Sequence, residues 1–448
     1  MKLNVGLICF GYPNFRVDIA KKTLDKSIEL LKKEDINLIS HDEVIVDASV
    51  TNKVVQDMKL KNIDLLIIQN GTFSDGNHII KIIENLKDTP ILLWGLPEPK
   101  AGEFKYIALN SMTAFNMFTS FLYKYKVSFN YVFGNVEDAK VQKGIKDNIE
   151  ALKVNKKLRN SKFCIIGGRA PGFYLSNVDE LRFRKEIGPE IVYYSLAQLL
   201  NDVKELDEAI IKEVVEEINK TGRVTSSSEA LEKTARVYLA IKKFIKSNNV
   251  QAFTIKCWPE MQSLYNFAPC TVLSKFNSEG IMASCEGDIP GLVTMYIQNI
   301  LTDKSVFFAD LVNVNDNGTV KLWHCGCAPY KLACDEKKIE FTQHPTIKNG
   351  IGMSVEFEMN KGRLVMCKFK EDDEKYKLLI APGTGVKEDR VLTGNQADIK
   401  FDADNEKLLR CIVENGIEHH YSIVYEDIVD KLEVLCKWMN IEAILCKE

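Results

Sequence analysis

Two carboxylates stand 24 positions apart within residues 284–310: Glu286, in Ser-Cys-Glu-Gly-Asp, and Asp310, which ends Ser-Val-Phe-Phe-Ala-Asp. Each closes an apolar segment that reads as a buried strand, and an apolar run from Ile289 to Leu301 separates them. Carboxylates are seldom fully buried without a positive partner. Two of them at the ends of core strands fit a metal site, or an acid/base pair held out of water. The plainer alternative is that both cap the loops that follow those strands.

The chain has six histidines, few enough to weigh one by one. His324 follows a strand in Leu-Trp-His-Cys-Gly-Cys-Ala-Pro, and His419 and His420 are adjacent just before another apolar strand. His344 precedes Pro345 in a polar loop, while His41 and His78 read as surface or helix-cap residues. A single His beside an apolar strand is commonly a hydrogen-bonded structural residue. In a His-His pair beside a strand, only one ring can face inward. Glu, Asp and His together would suit Mn²⁺ or Mg²⁺ rather than a structural zinc. A rival zinc set uses His324, Cys325, Cys327 and Cys334, but its Cys-x-Cys lacks a second matching knuckle.

Other residues offer sugar-binding chemistry. The ring of Trp258 could stack on the C–H face of a sugar, or be a core residue before a turn. Glu260 and Gln262 on the same loop could reach hydroxyls, or be solvated. The loop 167–172 is no dinucleotide fingerprint, because Arg169, Ala170 and Pro171 interrupt the glycines, and it reads as a tight turn. Neither a Walker loop nor a Gly-x-Ser-x-Gly elbow is present.

These residues must be positioned by the elements around them. Strand and helix signals alternate through the first third: strands at 4–10, 36–40, 64–69 and 90–95, helices at 18–33, 54–60, 79–86 and 111–125. A long charged helix over 136–159 bridges to a second alternating region. That region has a strand at 163–166, helices at 201–219 and 228–247, and strands at 252–256, 281–284 and 305–309. Short connections between alternating elements predict doubly wound parallel sheets. The last third changes to short strands at 320–324, 354–359, 363–370 and 376–381 with Gly, Asn and Asp turns, then a helix over 428–439. The fold class is therefore α/β: two Rossmann- or flavodoxin-like parallel-sheet domains, then a mainly β, barrel-like domain. The boundaries fall at 1–147, 148–303 and 304–448.

Composition bounds the function. Among 448 residues, 46% are hydrophobic and 27% charged, with a formal net charge of -3. That balance points away from nucleic acid and anionic membranes as partners. No apolar run reaches the ~18 residues that span a bilayer. The N-terminal apolar core is too short for a signal peptide and reads as a first strand. The 12 cysteines are scattered, and Cys9, Cys164 and Cys257 sit in apolar runs, as expected of free thiols in a reducing cytoplasm.

Ala283-Ser284-Cys285-Glu286-Gly287-Asp288, then Phe308-Ala309-Asp310, then His420, resemble the L-fucose isomerase and L-arabinose isomerase superfamily. In fucose isomerases a metal-binding Glu and Asp lie on consecutive strands, the Asp ending Phe-Ala-Asp, at the separation seen here. Arabinose isomerases carry Glu-Gly-Asp at the first position, a His after the second carboxylate, where His324 stands, and a His-His pair matching His420. The resemblance runs through the whole chain in domain order. The chain is shorter than typical fucose isomerases, and Cys285 and Trp258-Pro259-Glu260 depart from their pattern, so the sugar does not carry over.

The resemblance implies a metal-dependent aldose–ketose isomerase acting on a pentose, a 6-deoxyhexose or a modified hexose through an enediol(ate). Glu286 and Asp310 would be catalytic. Glu286, Asp310 and His420 would bind Mn²⁺, or another divalent ion such as Mg²⁺ or Co²⁺. His324, Trp258 and Glu260 would contact substrate. Arg16 would reach a neighbouring subunit's site in a homo-oligomer, a trimer or hexamer, although an ordinary surface role fits Arg16 as well. Alternatives are a related metal-dependent lyase or epimerase, or a non-catalytic sugar-binding protein.

Overall fold

The computed structural model describes residues 2–100, 103, 105–345, 351–387 and 390–447. The chain divides into two compact units: Met1–Lys157 with Asp430–Met439, and Leu158–Val429 with Asn440–Glu448.

The first unit holds strands β1 (Leu3–Phe10), β2 (Ile36–Ile45), β3 (Leu65–Asn70), β4 (Ile91–Gly95) and β5 (Phe129–Phe133). They pair in parallel in the order β2-β1-β3-β4-β5. Helices α1 (Val17–Leu31), α2 (Ala48–Leu60), α3 (Gly76–Leu86), α4 (Ser111–Lys124) and α5 (Ala139–Arg159) alternate with the strands. All of β3 and β4 is buried, as expected where helices cover both faces of a parallel sheet. Asp47 and Asp75 start α2 and α3 by accepting hydrogen bonds from Ser49 and Asn77 N–H.

The second unit contains three sheets. A parallel sheet has the order β10-β9-β6-β7, formed by β6 (Lys162–Ile166), β7 (Glu190–Tyr194), β9 (Ala252–Ile255) and β10 (Met282–Cys285). With it go α6 (Glu180–Glu186), α7 (Leu196–Asp202), α8 (Glu208–Thr221), α9 (Ser228–Ser247), α10 (Glu260–Tyr265), α11 (Cys270–Ser278) and α12 (Ile289–Thr302). A small sheet joins β8 (Arg223–Val224), β13 (Glu340–Gln343) and β14 (Met353–Glu356). A larger sheet comprises β11 (Phe307–Val314), β12 (Val320–His324), β15 (Gly362–Lys370), β16 (Lys377–Val386), β17 (Asn395–Phe401), β18 (His420–Val424) and β19 (Glu442–Leu445). Its order is β15-β18-β11-β12-β17-β16-β19, and β15 also pairs with β16. Helix α13 (Asn405–Val413) precedes β18, and α14 (Val429–Met439) precedes β19.

Helix α12 explains the long apolar run. It packs on β9 and β10 of the parallel sheet and on β15 and β18 of the larger sheet, so most of its circumference is buried. Its polar side chains serve the neighbouring backbone: Thr294 Oγ1 accepts from Phe369 N–H at 2.9 Å, and Gln298 Nε2 donates to Val365 O at 3.1 Å.

Three expectations need correction. The strand that carries Asp310 does not end at Ala309; β11 continues to Val314, because Asn313 and Val314 pair with β12. Asp310 is therefore an interior strand residue. The helix expected over 201–219 is interrupted by a 3-10 turn at Val203–Glu205 and restarts at Asp207, whose side chain caps α8 by accepting from Ala209 N–H. The strand expected at 36–40 runs on to Ile45, at the edge of its sheet.

Candidate active site

The second unit brings the singled-out carboxylates and histidines to one place through three backbone devices. The first is the turn after β10. Glu286 has φ +61° and Gly287 φ +78° before Asp288 caps α12, its carboxylate accepting from Gly291 N–H. A left-handed non-glycine residue costs about 1 kcal/mol or more, and such strain concentrates at functional sites. A Cβ on Gly287 would come within 2.6 Å of Gly168 O, so glycine is required there. The loop after β6 braces this turn, Ala170 N–H donating to Glu286 O at 3.0 Å.

The second device is strand register. Asp310 on β11 stands opposite His420 on β18 and opposite Trp323 on β12. Residues directly opposite in an antiparallel pair point to the same face. The third is the end of β12, which presents His324.

The result is a convergence on one imidazole. His420 Nε2 lies 3.4 Å from Glu286 Oε2 and 3.6 Å from Asp310 Oδ1. Its Nδ1 lies 2.9 Å from Asp288 Oδ2. An ionised carboxylate only accepts, so Nδ1 carries the proton and Nε2 presents its lone pair to the other two acids. Burial lowers the pKa of His420 and keeps the ring neutral, against the pull of Asp288. Burial alone would raise the pKa of Glu286, yet it is lowered overall by His419, His420 and the Trp258 N–H. Trp258 Nε1 donates to Glu286 Oε1 at 2.8 Å.

Behind the imidazole sits a buried ionic network. Lys368, fully buried on β15, reaches Asp288 at 3.0 Å and Glu418 at 3.4 Å. Burial works against ionisation of Asp288, but Lys368, His420 and the Gly291 N–H hold its pKa well below the carboxylate range. His419 is half-exposed, 3.6 Å from Glu286 Oε2, with its ring edge-on to Phe173 at 5.2 Å.

His324 is buried with Nε2 3.2 Å from Cys285 Sγ and Nδ1 3.3 Å from Cys325 Sγ. Glu286, Asp310, His324, His420, Trp258 and Gln262 all line one cavity of about 430 Å³. That volume suits a small molecule. Glu260 starts α10 and pairs with Lys256 at 2.6 Å. Arg16 belongs to the first unit, where it bonds Asp18 at 2.7 Å. The zinc quartet is not assembled: Cys334 is exposed and donates to Met359 O, and Cys327 Sγ contacts Phe308 O.

Sequence reasoning passed over Asp288, His419, Glu418 and Lys368 as functional residues. Asp288 was visible within Glu-Gly-Asp, and Lys368 as a charge inside the apolar strand Val-Met-Cys-Lys-Phe. Nothing local in the sequence links Lys368 to a position 80 residues earlier.

Among known proteins, the L-arabinose isomerase central domain family matches residues 175–302. A sulfoquinovose isomerase from Priestia aryabhattai is 27% identical over 439 residues, covering 97% of each chain. One from Alkalicoccus urumqiensis is 26% identical over 445 residues, covering 99% of each. A glucose-galactose binding protein from Geobacillus stearothermophilus overlaps 68% of this chain and 92% of its own, at 12% identity and a TM-score of 0.17, too low to carry an argument. The central-domain match and the full-length similarity to sulfoquinovose isomerases support placing the chain in the L-fucose and L-arabinose isomerase-like superfamily, and they indicate an aldose–ketose isomerase.

Proposed function

We propose that this isomerase is divalent-metal-dependent and acts on a C6-modified aldohexose, with sulfoquinovose the first sugar to test. The full-length similarity to sulfoquinovose isomerases supports the sugar. The observation that carries the metal reading is the neutral His420 imidazole aimed between two carboxylates, at 3.4 and 3.6 Å. Two anionic oxygens and one imidazole nitrogen suit Mn²⁺, or another hard divalent ion such as Mg²⁺ or Co²⁺. Glu286, Asp310 and His420 would hold the ion, and His419 stands beside Glu286 as a further donor.

When bound, such an ion supplies Lewis-acid polarisation of neighbouring sugar oxygens. Glu286 and Asp310 are the acid/base pair. One takes the proton that leaves the carbon beside the carbonyl, giving an enediol(ate). The other moves a hydroxyl proton between O1 and O2, so that the carbonyl shifts. The N–H of Trp258 orients Glu286 by occupying Oε1, which leaves Oε2 turned toward the imidazoles. His324 orients a substrate hydroxyl from the cavity wall. Glu260, paired with Lys256, and Arg16, paired with Asp18, stay in this reading as substrate contacts that rest on the family resemblance.

Three structural and cellular readings accompany the proposal. The cyclic run of pairings through β15, β18, β11, β12, β17 and β16 supports a barrel-like third domain within the division at 1–147, 148–303 and 304–448, although the small sheet crosses the second boundary by pairing β8 with β13. Assembly as a trimer or hexamer rests on family resemblance. A cytoplasmic location fits the free thiols, and no described helix is long and apolar enough to cross a membrane.

The test is a panel of aldoses and ketoses, including sulfoquinovose, with Mn²⁺ or with EDTA, followed by NMR in D₂O. Deuterium entering C1 or C2 of a ketose product supports isomerisation through an enediol(ate). Fragments would indicate a lyase, and full turnover in EDTA would remove the metal.

A further inference from the structure

A second cluster of donors lines the same cavity and plays no part in the proton transfer above. Cys270 Sγ lies 3.4 Å from Cys325 Sγ and 3.1 Å from His344 Nε2. The three come from separate elements: Cys270 opens α11, Cys325 follows β12, and His344 follows β13. Cys270 and His344 are buried, and Cys325 is held by its own backbone, whose carbonyl accepts from Ser354 Oγ at 2.6 Å. One donor atom from each residue falls within 4.8 Å of the other two.

The donor chemistry sets this cluster apart from the first. Glu286, Asp310 and His420 are hard oxygen donors with one imidazole. Cys270, Cys325 and His344 are two sulfurs with one imidazole, a soft set that selects Zn²⁺ over Mn²⁺ or Mg²⁺. Bond lengths of ~2.3 Å for Zn–S and ~2.0 Å for Zn–N separate tetrahedral ligands by roughly 3.6–3.8 Å. The two separations from Cys270 Sγ, 3.4 and 3.1 Å, are shorter by a few tenths of an ångström, so a small outward movement of that side chain would admit the ion. All three residues line the cavity, which leaves a fourth coordination position directed at bound ligand or water.

We propose that Cys270, Cys325 and His344 form a thiophilic Zn²⁺ site with one open position, separate from the carboxylate–imidazole centre. Binding converts both thiols to thiolates and releases their two protons to solvent, so uptake of metal acidifies an unbuffered solution. The zinc set weighed from sequence shared only Cys325 with this one. Cys270 and His344 lie too far along the chain from Cys325 for spacing to reveal them.

The test uses the full-length protein, stripped with chelator and reloaded with Co²⁺ in the presence of Mn²⁺. Thiolate ligation gives Co²⁺ an intense near-ultraviolet charge-transfer absorption that oxygen and nitrogen ligands do not. The expected result is that absorption in the wild type, its loss in Cys270→Ser and Cys325→Ser, and its retention in Cys334→Ser and Cys285→Ser. No such absorption in the wild type, or its survival in Cys270→Ser, overturns the proposal. Should the serine variants fail to fold, alkylation of the wild-type protein decides. Zn²⁺ should slow labelling of Cys270 and Cys325 but not of exposed Cys334, and equal labelling with and without Zn²⁺ overturns the site. Neither readout measures isomerase activity, so failure here leaves the proposed reaction standing.

Discussion

His420 Nδ1 and Asp288 Oδ2 lie 2.9 Å apart, both side chains fully enclosed, and this pair fixes which nitrogen of the ring faces the cavity. Asp288 is also the cap of α12 and a partner of buried Lys368. One carboxylate thus ties the helix start, a buried cation and the cavity-facing imidazole into a single unit.

Replacing Asp288 by Asn should weaken divalent-ion binding by ~10–100-fold, the usual effect of removing a carboxylate behind a ligand histidine. It also leaves Lys368 with only part of its compensation, which costs about 3–5 kcal/mol for a buried pair broken on one side. Isothermal titration with Mn²⁺ and a thermal melt read the two effects separately. An unchanged Mn²⁺ affinity would contradict the orienting role.

The same residue gives a pH signature. The folded pKa of Asp288 is held far below its unfolded value, near ~4. A depressed carboxylate contributes stability that is present above the unfolded pKa and lost as pH falls toward the folded one. The stability gap between wild type and Asp288→Asn should therefore be constant from neutrality to about pH 5 and shrink below about pH 4. Denaturant melts across that range measure it, and a gap that widens in acid would refute the assignment.

Glu286→Gln and Asp310→Asn should each fold normally and lose turnover by ~10²–10⁴-fold or more, the range expected for a positioned acid or base. Circular dichroism checks the fold and ketose formation checks the rate. Either variant retaining near-normal turnover would remove that residue from the chemistry.

Trp258→Phe deletes the N–H that meets Glu286 Oε1 while keeping an aromatic ring. A hydrogen bond to a charged group contributes ~1.5–3 kcal/mol, so catalytic efficiency should fall by roughly 10–150-fold. No change in kcat/KM would mean that the ring, rather than its N–H, is what matters there.

Much of the fold was legible because its signals are local. Val320–His324, Ser111–Lys124 and Val429–Met439 follow from apolar period and turn residues alone. The strands passed over were β5, β7, β8, β13, β17 and β19. The first two are sheet edges, where Tyr131 and Tyr193 face solvent and blur the pattern of a buried strand. At the site, Glu286, Asp310 and His420 stood out because charge or imidazole beside an apolar strand is costly unless paired. Lys368 and the trio Cys270, Cys325 and His344 did not, since only the folding of distant strands onto one cavity brings them together. The end of β11 was misplaced because charged Asp310 reads as the close of the apolar segment, whereas pairing with β12 carries the strand through it to Val314.

The most direct measurement is Mn²⁺ binding followed by electron paramagnetic resonance in the chelator-stripped wild type and in Glu286→Gln, Asp310→Asn and His420→Gln, with ketose formation assayed in the same samples. The account predicts that Mn²⁺ restores turnover to the wild type, and that each substitution weakens both binding and rate. Full activity in the stripped enzyme, or Mn²⁺ bound equally well by all three variants, would contradict it.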